Sequence, residues 1–96
     1  MSSLAQTQSL PCILPGTTIK QAIGSASAAT AALTTDIVRL AATTDCYVVF
    51  GATPVATSSG LFLPAGCPEY FAFISGQKIA VIRDTTDGNL LITPAQ

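Results

Sequence analysis

The chain has 96 residues, of which 49% are apolar and only 9% charged, against about a quarter charged in an average soluble domain. Four Lys/Arg stand against five Asp/Glu, for a net charge of −1, and there is no His or Trp; one domain with one modest core is expected at this length. This composition excludes a disordered chain, which needs low hydrophobicity and high charge, and a nucleic-acid binder, which needs a basic patch. Residues 1–18 read as an extended arm ahead of a globular domain over 19–96. Met1 to Ser9 is small and polar, and Leu10-Pro11-Cys12-Ile13-Leu14-Pro15-Gly16 is apolar but fenced by two prolines. Proline fixes its own φ and pushes the preceding residue out of the helical region, so neither a helix nor a central strand suits this stretch. Leu10, Ile13 and Leu14 want burial. The arm is either a loose terminus or a segment that orders against a partner.

Residues 22–45 admit two readings. Leu33, Ile37 and Leu40 lie at helical spacing in an Ala-rich stretch, and Ala is the best helix former. Six β-branched residues (Thr30, Thr34, Thr35, Val38, Thr43 and Thr44) oppose this, no i,i+4 ion pair supports it, and Thr34-Thr35-Asp36 reads as a turn between two strands. The rest reads as short strands. Asp36 to Thr43 is one. Cys46 to Phe50 is a second, stopped by Gly51 and Pro54, with a polar small-residue loop over 55–60. Leu61 to Leu63 follows, ended by Pro64-Ala65-Gly66, then Glu69 to Ile74, then Lys78 to Arg83. Asp87-Gly88 is the strongest hairpin signal, with Asn89 to Thr93 returning and Pro94 ending the chain's last strand. Short strands with turn residues every 8 to 12 positions predict a sandwich or barrel.

Strands 69–74 and 78–83 are apolar on both faces: Tyr70, Ala72 and Ile74 alternate with Phe71 and Phe73, and Ile79 and Val81 with Ala80 and Ile82. A sandwich strand ordinarily keeps one polar face. The surplus apolar surface is therefore expected to meet another subunit. Together with the arm, it makes Leu10, Ile13, Leu14, Arg39, Tyr70, Phe71 and Phe73 the candidate interface residues. Arg39, in an otherwise apolar strand, is expected to face solvent or to pair with Asp45, Glu69 or a neighbouring chain.

No pattern carries catalysis or cofactor binding. A His base or His-ligated metal is impossible within this chain, Ser58-Ser59-Gly60 has no partner base, and no phosphate-cradling glycine motif occurs. No catalytic, cofactor or metal residue is expected; Asp84 and Asp87 flank a turn and are expected to cap or solvate it rather than to bind calcium. Cys12, Cys46 and Cys67 are odd in number and without CxxC spacing, so free thiols are expected, Cys46 and Cys67 being buried as small hydrophobes. The longest weakly apolar stretch, 22–33, is interrupted by Gly24, Ser25, Ser27 and Thr30, short of the roughly 20 residues a membrane helix needs. The first nineteen residues carry no Lys or Arg, unlike a signal peptide, and the expected compartment is the cytosol.

The run from Asp36 to Pro54, DIVRLAATTDCYVVFGATP, followed by Leu63 to Gly66 (LPAG), Pro68 to Phe71 (PEYF) and Gly76 to Ile82 (GQKIAVI), resembles a segment of small structural proteins of tailed bacteriophages. The resemblance covers about residues 24 to 84. It implies an all-β fold, a small antiparallel β-sandwich (jelly-roll- or Ig-like) carrying the arm, and it favours strand over 25–42. It further implies a virion structural protein, a head decoration or cement protein on the capsid exterior, assembled in the host cytoplasm. Its partners would be the major capsid (coat) protein and copies of itself, as a trimer or dimer, with no nucleic acid, membrane or small-molecule substrate. A tail, tail-fibre or head–tail joining component is the alternative within viruses. From another class, a small β-barrel could bind an apolar ligand.

Overall fold

A computed structural model of the protein describes residues 16–95. These residues form eight strands and no helix: β1 (Ile19–Ile23), β2 (Ala28–Ala29), β3 (Ile37–Ala42), β4 (Cys46–Gly51), β5 (Leu61–Leu63), β6 (Glu69–Ala72), β7 (Lys78–Arg83) and β8 (Gly88–Ala95). All pairings are antiparallel, in two four-stranded sheets ordered β1-β8-β3-β6 and β2-β7-β4-β5. The first strand pairs the last, the second the seventh, the third the sixth and the fourth the fifth. This nested pairing folded over into two sheets is the jelly-roll arrangement. The seven-strand immunoglobulin order, with three strands on one sheet, does not fit it.

Each central strand alternates in the sense the sandwich needs. Val38, Leu40 and Ala42 of β3 turn inward with Leu90 and Ile92 of β8. Cys46 and Val48 of β4 turn inward with Ile79 and Val81 of β7. All are buried, and they interdigitate as one cluster. Fully burying a Val, Leu or Ile side chain contributes roughly 1.5–3 kcal/mol, so this cluster is the main source of stability. At one side of it Phe50 meets Phe71 and Phe73 edge-on, with ring centroids 5.7 and 5.6 Å apart.

The ambiguous 22–45 stretch is strand at 22–23, the end of β1, and at 28–29 and 37–42, and irregular elsewhere. Its irregular part is nonetheless tied down: the Thr30 amide donates to Ile79 O (2.9 Å), that of Leu33 to Gln77 O (2.9 Å), and that of Gly76 to Leu33 O (2.7 Å). The helical stripe fails because Ile37 and Leu40 lie on opposite faces of β3.

Several local expectations are corrected. Asp87-Gly88 is not a two-residue hairpin: β7 and β8 belong to different sheets, and residues 84–87 carry the chain from one to the other. Gly88 is needed for space, since a Cβ there would run into the Thr43 and Thr44 side chains. Pro94 does not end the last strand. Its carbonyl accepts from the Gly16 amide (2.7 Å), away from β3, so its nitrogen faces the same way and removes no bond from the β3–β8 ladder. Strand 78–83 is not left with a bare apolar face, because Ile79, Ala80 and Val81 are all buried. The loop 52–60 folds back over it. Buried Ala56 donates its amide to Ser27 Oγ (2.8 Å) beyond β2, and at Gly60 an added Cβ would stand 3.0 Å from Val49 Cγ2 on β4.

Candidate interaction surface

Three of the five acids, Asp45, Asp84 and Asp87, are engaged in holding one end of the sandwich together. Asp45 Oδ1 accepts the Ala65 amide at 2.8 Å, Asp84 Oδ1 accepts the Tyr47 hydroxyl at 3.1 Å, and Asp87 Oδ1 accepts from Arg83 Nη1 at 2.7 Å. Among the described residues no three His, Cys, Asp or Glu side chains gather where a metal ion could sit. The Tyr47–Asp84 bond raises the Tyr47 pKa above its usual 10.0, with lesser contributions from desolvation and from the Asp84 and Asp45 charges.

Cys46 and Cys67 are both free, and they differ sharply in environment. Cys46 is buried between the sheets, its thiol directed at Leu63 O (3.9 Å). Burial, then the neighbouring Asp45 charge, pushes its pKa from 9.0 up to about 11. Cys67 is exposed, contrary to the expectation of burial, because it lies in the Pro64–Pro68 turn rather than on a strand with an inward face. Cys12 lies outside the described residues.

The candidate interface residues separate into three groups. Leu10, Ile13 and Leu14 lie outside the described residues. Phe71 and Phe73 point inward: Phe71 is half-buried against the core and Phe73 only 6% exposed, so Phe73 offers a partner no surface in this fold. Arg39 and Tyr70 are cross-strand neighbours on the outer face of the first sheet, with Arg39 half-buried. Arg39 pairs with neither Asp45 nor Glu69; Arg83–Asp87 is the one salt bridge among the described residues.

Sequence reasoning picked out Tyr70 among the exposed apolar residues but did not name Leu61, Phe62 or Ile74 as interface candidates. Four of the five large apolar side chains left exposed are Leu61 (47%), Phe62 (44%), Tyr70 (55%) and Ile74 (67%). The first two are on β5, Tyr70 is on β6, and Ile74 is the second residue after β6. β6 is one of the two edge strands of the first sheet, next to the central β3, and β5 one of the two of the second, next to the central β4. On the outer face of the second sheet Phe62 also contacts Tyr47, ring centroids 5.4 Å apart. The sequence signal was the brevity of the 61–63 run between Gly60 and Pro64, which suits an edge rather than a centre.

Where β3 begins and β8 ends, a cleft of about 460 Å³ is lined by Gly16, residues 34–37, Pro94 and Ala95. An apolar-ligand module would instead need an open interior. Here the sheets do not close into a barrel, and Val38, Leu40, Ile79, Leu90 and Ile92, all at 0% exposure, fill the space between them. No protein-family model matches the chain, and no curated protein or solved structure matches it.

Proposed function

We propose that the protein is a non-enzymatic structural component of a tailed-phage virion, a head decoration or cement protein that binds across coat subunits on the capsid exterior. The observation that carries the reading is that Leu61, Phe62, Tyr70 and Ile74, on or just past the edge strands β5 and β6, stay exposed in a small sandwich with few charges. Large apolar side chains left exposed along sheet edges suit a contact surface. The similarity of residues 24 to 84 to phage structural proteins supplies the class of partner. Attachment at several points on the shell gives retention through multiplicity rather than through one tight contact. A tail or head–tail joining component uses the same surface in the alternative assignment.

The test is cosedimentation of the purified protein with expanded heads that lack it. Saturable binding, and heads that survive higher temperature when coated, are the expected results. Binding only to tails moves the protein to the alternative, and binding to neither particle rejects the virion reading. Deleting residues 1–15 is expected to weaken retention on heads after dilution.

A further inference from the structure

We propose that β6 is a self-pairing edge, through which two copies join their first sheets into one continuous eight-stranded antiparallel sheet. The outer side of β6 carries open backbone groups. The Phe73 amide donates to Asp36 O at 2.7 Å, toward the β3 side. Backbone groups of successive strand residues alternate in side, so Phe71 also faces β3, while Tyr70 and Ala72 face away from it. β6 is terminal in its sheet, and no described residue pairs with its outer side. Tyr70 and Ala72 thus present two open N–H and two open C=O groups, flanking Phe71.

That pattern is complementary to itself. In antiparallel pairing about Phe71, Tyr70 of one copy stands opposite Ala72 of the other, and each such pair exchanges two hydrogen bonds, four in all. Phe71 meets Phe71 of the second copy across the two-fold axis as a non-hydrogen-bonded pair, on the inner face where each ring is already half-buried. On the outer face the large Tyr70 falls beside the small Ala72, in both directions. The ladder also closes itself at the next opposed pair, Pro68 with Ile74. Pro68 has no N–H, and the Ile74 carbonyl already accepts from the Gln77 amide at 3.1 Å. The two Glu69 carboxylates lie at opposite ends of the ladder, about 14 Å apart along the strand direction at 3.4 Å per residue, so they do not oppose each other. An isologous contact of this kind closes as a dimer. Four paired residues bury less than the roughly 800 Å² per partner of a stable complex, so the dimer is weak in solution and reinforced where copies are crowded on a surface.

The inference deepens the self-association part of the proposed function and is independent of the coat partner. Two measurements on the full chain test it. In sedimentation across micromolar to millimolar concentrations, the protein is expected to dimerise, and Ala72→Pro to weaken the dimer at least tenfold. The Ala72 N–H has no bond among the described residues, so the melting temperature of dilute Ala72→Pro should stay near that of the parent. If that variant does not fold, Ala72→Lys, which places a charge on the exposed face of the edge, takes its place. For register, Tyr70→Cys and Ala72→Cys chains are made with Cys12 and Cys67 replaced by Ser, then mixed and oxidised. A hydrogen-bonded pair has Cα atoms about 5.5 Å apart, within disulfide reach, whereas like positions stand on the longer diagonal. The mixture should therefore cross-link as the heterodimer and each chain alone should not. A monomer at all concentrations, a dimer unaffected by both Ala72 variants, or equal cross-linking of like chains overturns the proposal. So does protection of the β6 edge that appears only when heads are added, which would assign it to a coat segment. A dimer with the expected register that fails to bind heads leaves the edge pairing standing and removes the virion reading.

Discussion

A methyl group at position 88 would collide with Thr44 Oγ1 and come within 2.7 Å of Thr43 Oγ1 and 2.9 Å of Thr44 Cγ2. Thr43 Oγ1 cannot retreat freely, since it accepts the Asn89 amide at 2.9 Å. Gly88→Ala is therefore expected to destabilise the domain by about 1–3 kcal/mol, as overpacking does, measured as a lower denaturation midpoint with unchanged m-value. Thr44 Oγ1 is buried and has no hydrogen-bond partner among the described residues, so Thr44→Val should be neutral or stabilise by up to about 1 kcal/mol. On β4, Cys46 and Tyr47 both hold their protons more tightly folded than unfolded. A raised folded pKa gives stability that is complete below the unfolded value and lost as pH rises through the folded one. For Cys46 that window runs from 9.0 to about 11, with Tyr47 adding a loss in the same direction from its usual 10.0 upward. Unfolding free energy should thus be flat near neutrality and fall above pH 9, and Cys46→Ala should flatten part of the decline. Thiol labelling of the native protein at pH 8 should modify Cys67 quickly and Cys46 only on unfolding.

β6 and the residue that follows it set two chemistries side by side. Phe73 packs edge-on against Phe50 inside, while Tyr70 stands in solvent on the outer face. Phe73→Ala is expected to cost about 3–5 kcal/mol in chemical denaturation, and Tyr70→Ala under about 1 kcal/mol at concentrations where the protein is monomeric. The sequence showed that Tyr70 and Phe73 lie on opposite faces, because strand periodicity is two, but not which face is the core. That depends on register: Phe71 opposite Val38 turns the Phe side inward, and register is a long-range fact. The same limit explains the Asp87-Gly88 reading. The dipeptide does mark a turn, but whether the strands it joins pair with each other is decided by β8 lying between β1 and β3. Pro94 misled for a subtler reason, since a proline is harmless in a strand wherever its nitrogen faces the side without a ladder bond. The strands themselves were legible because their apolar runs end at Gly, Pro or Asp. The open edge was not, because an edge is defined by what fails to pair with it.

For the molecule as a whole, both four-stranded sheets are complete within residues 19–95 among the described residues, and Gly16 and Thr18 add bonds to Pro94 and Thr93 (2.7 and 2.9 Å). A chain lacking residues 1–15 should therefore melt cooperatively, with its circular dichroism still that of a β-protein. Because β1 must find β8 across most of the chain, folding should take milliseconds to seconds rather than microseconds. The nested pairing also fixes how the protein bears load. Ile19 is opposite Ile92 and Ile23 opposite Gly88, so both ends of the sandwich emerge at the same end of one ladder. Tension applied between residues 16 and 95 would peel β1 from β8 like a zip, breaking bonds a pair at a time instead of shearing them together. The domain should thus yield at low force when pulled by its ends. A scaffold that has to resist stretching would do better to grip this protein by its sheet faces and flank, and to leave the termini slack.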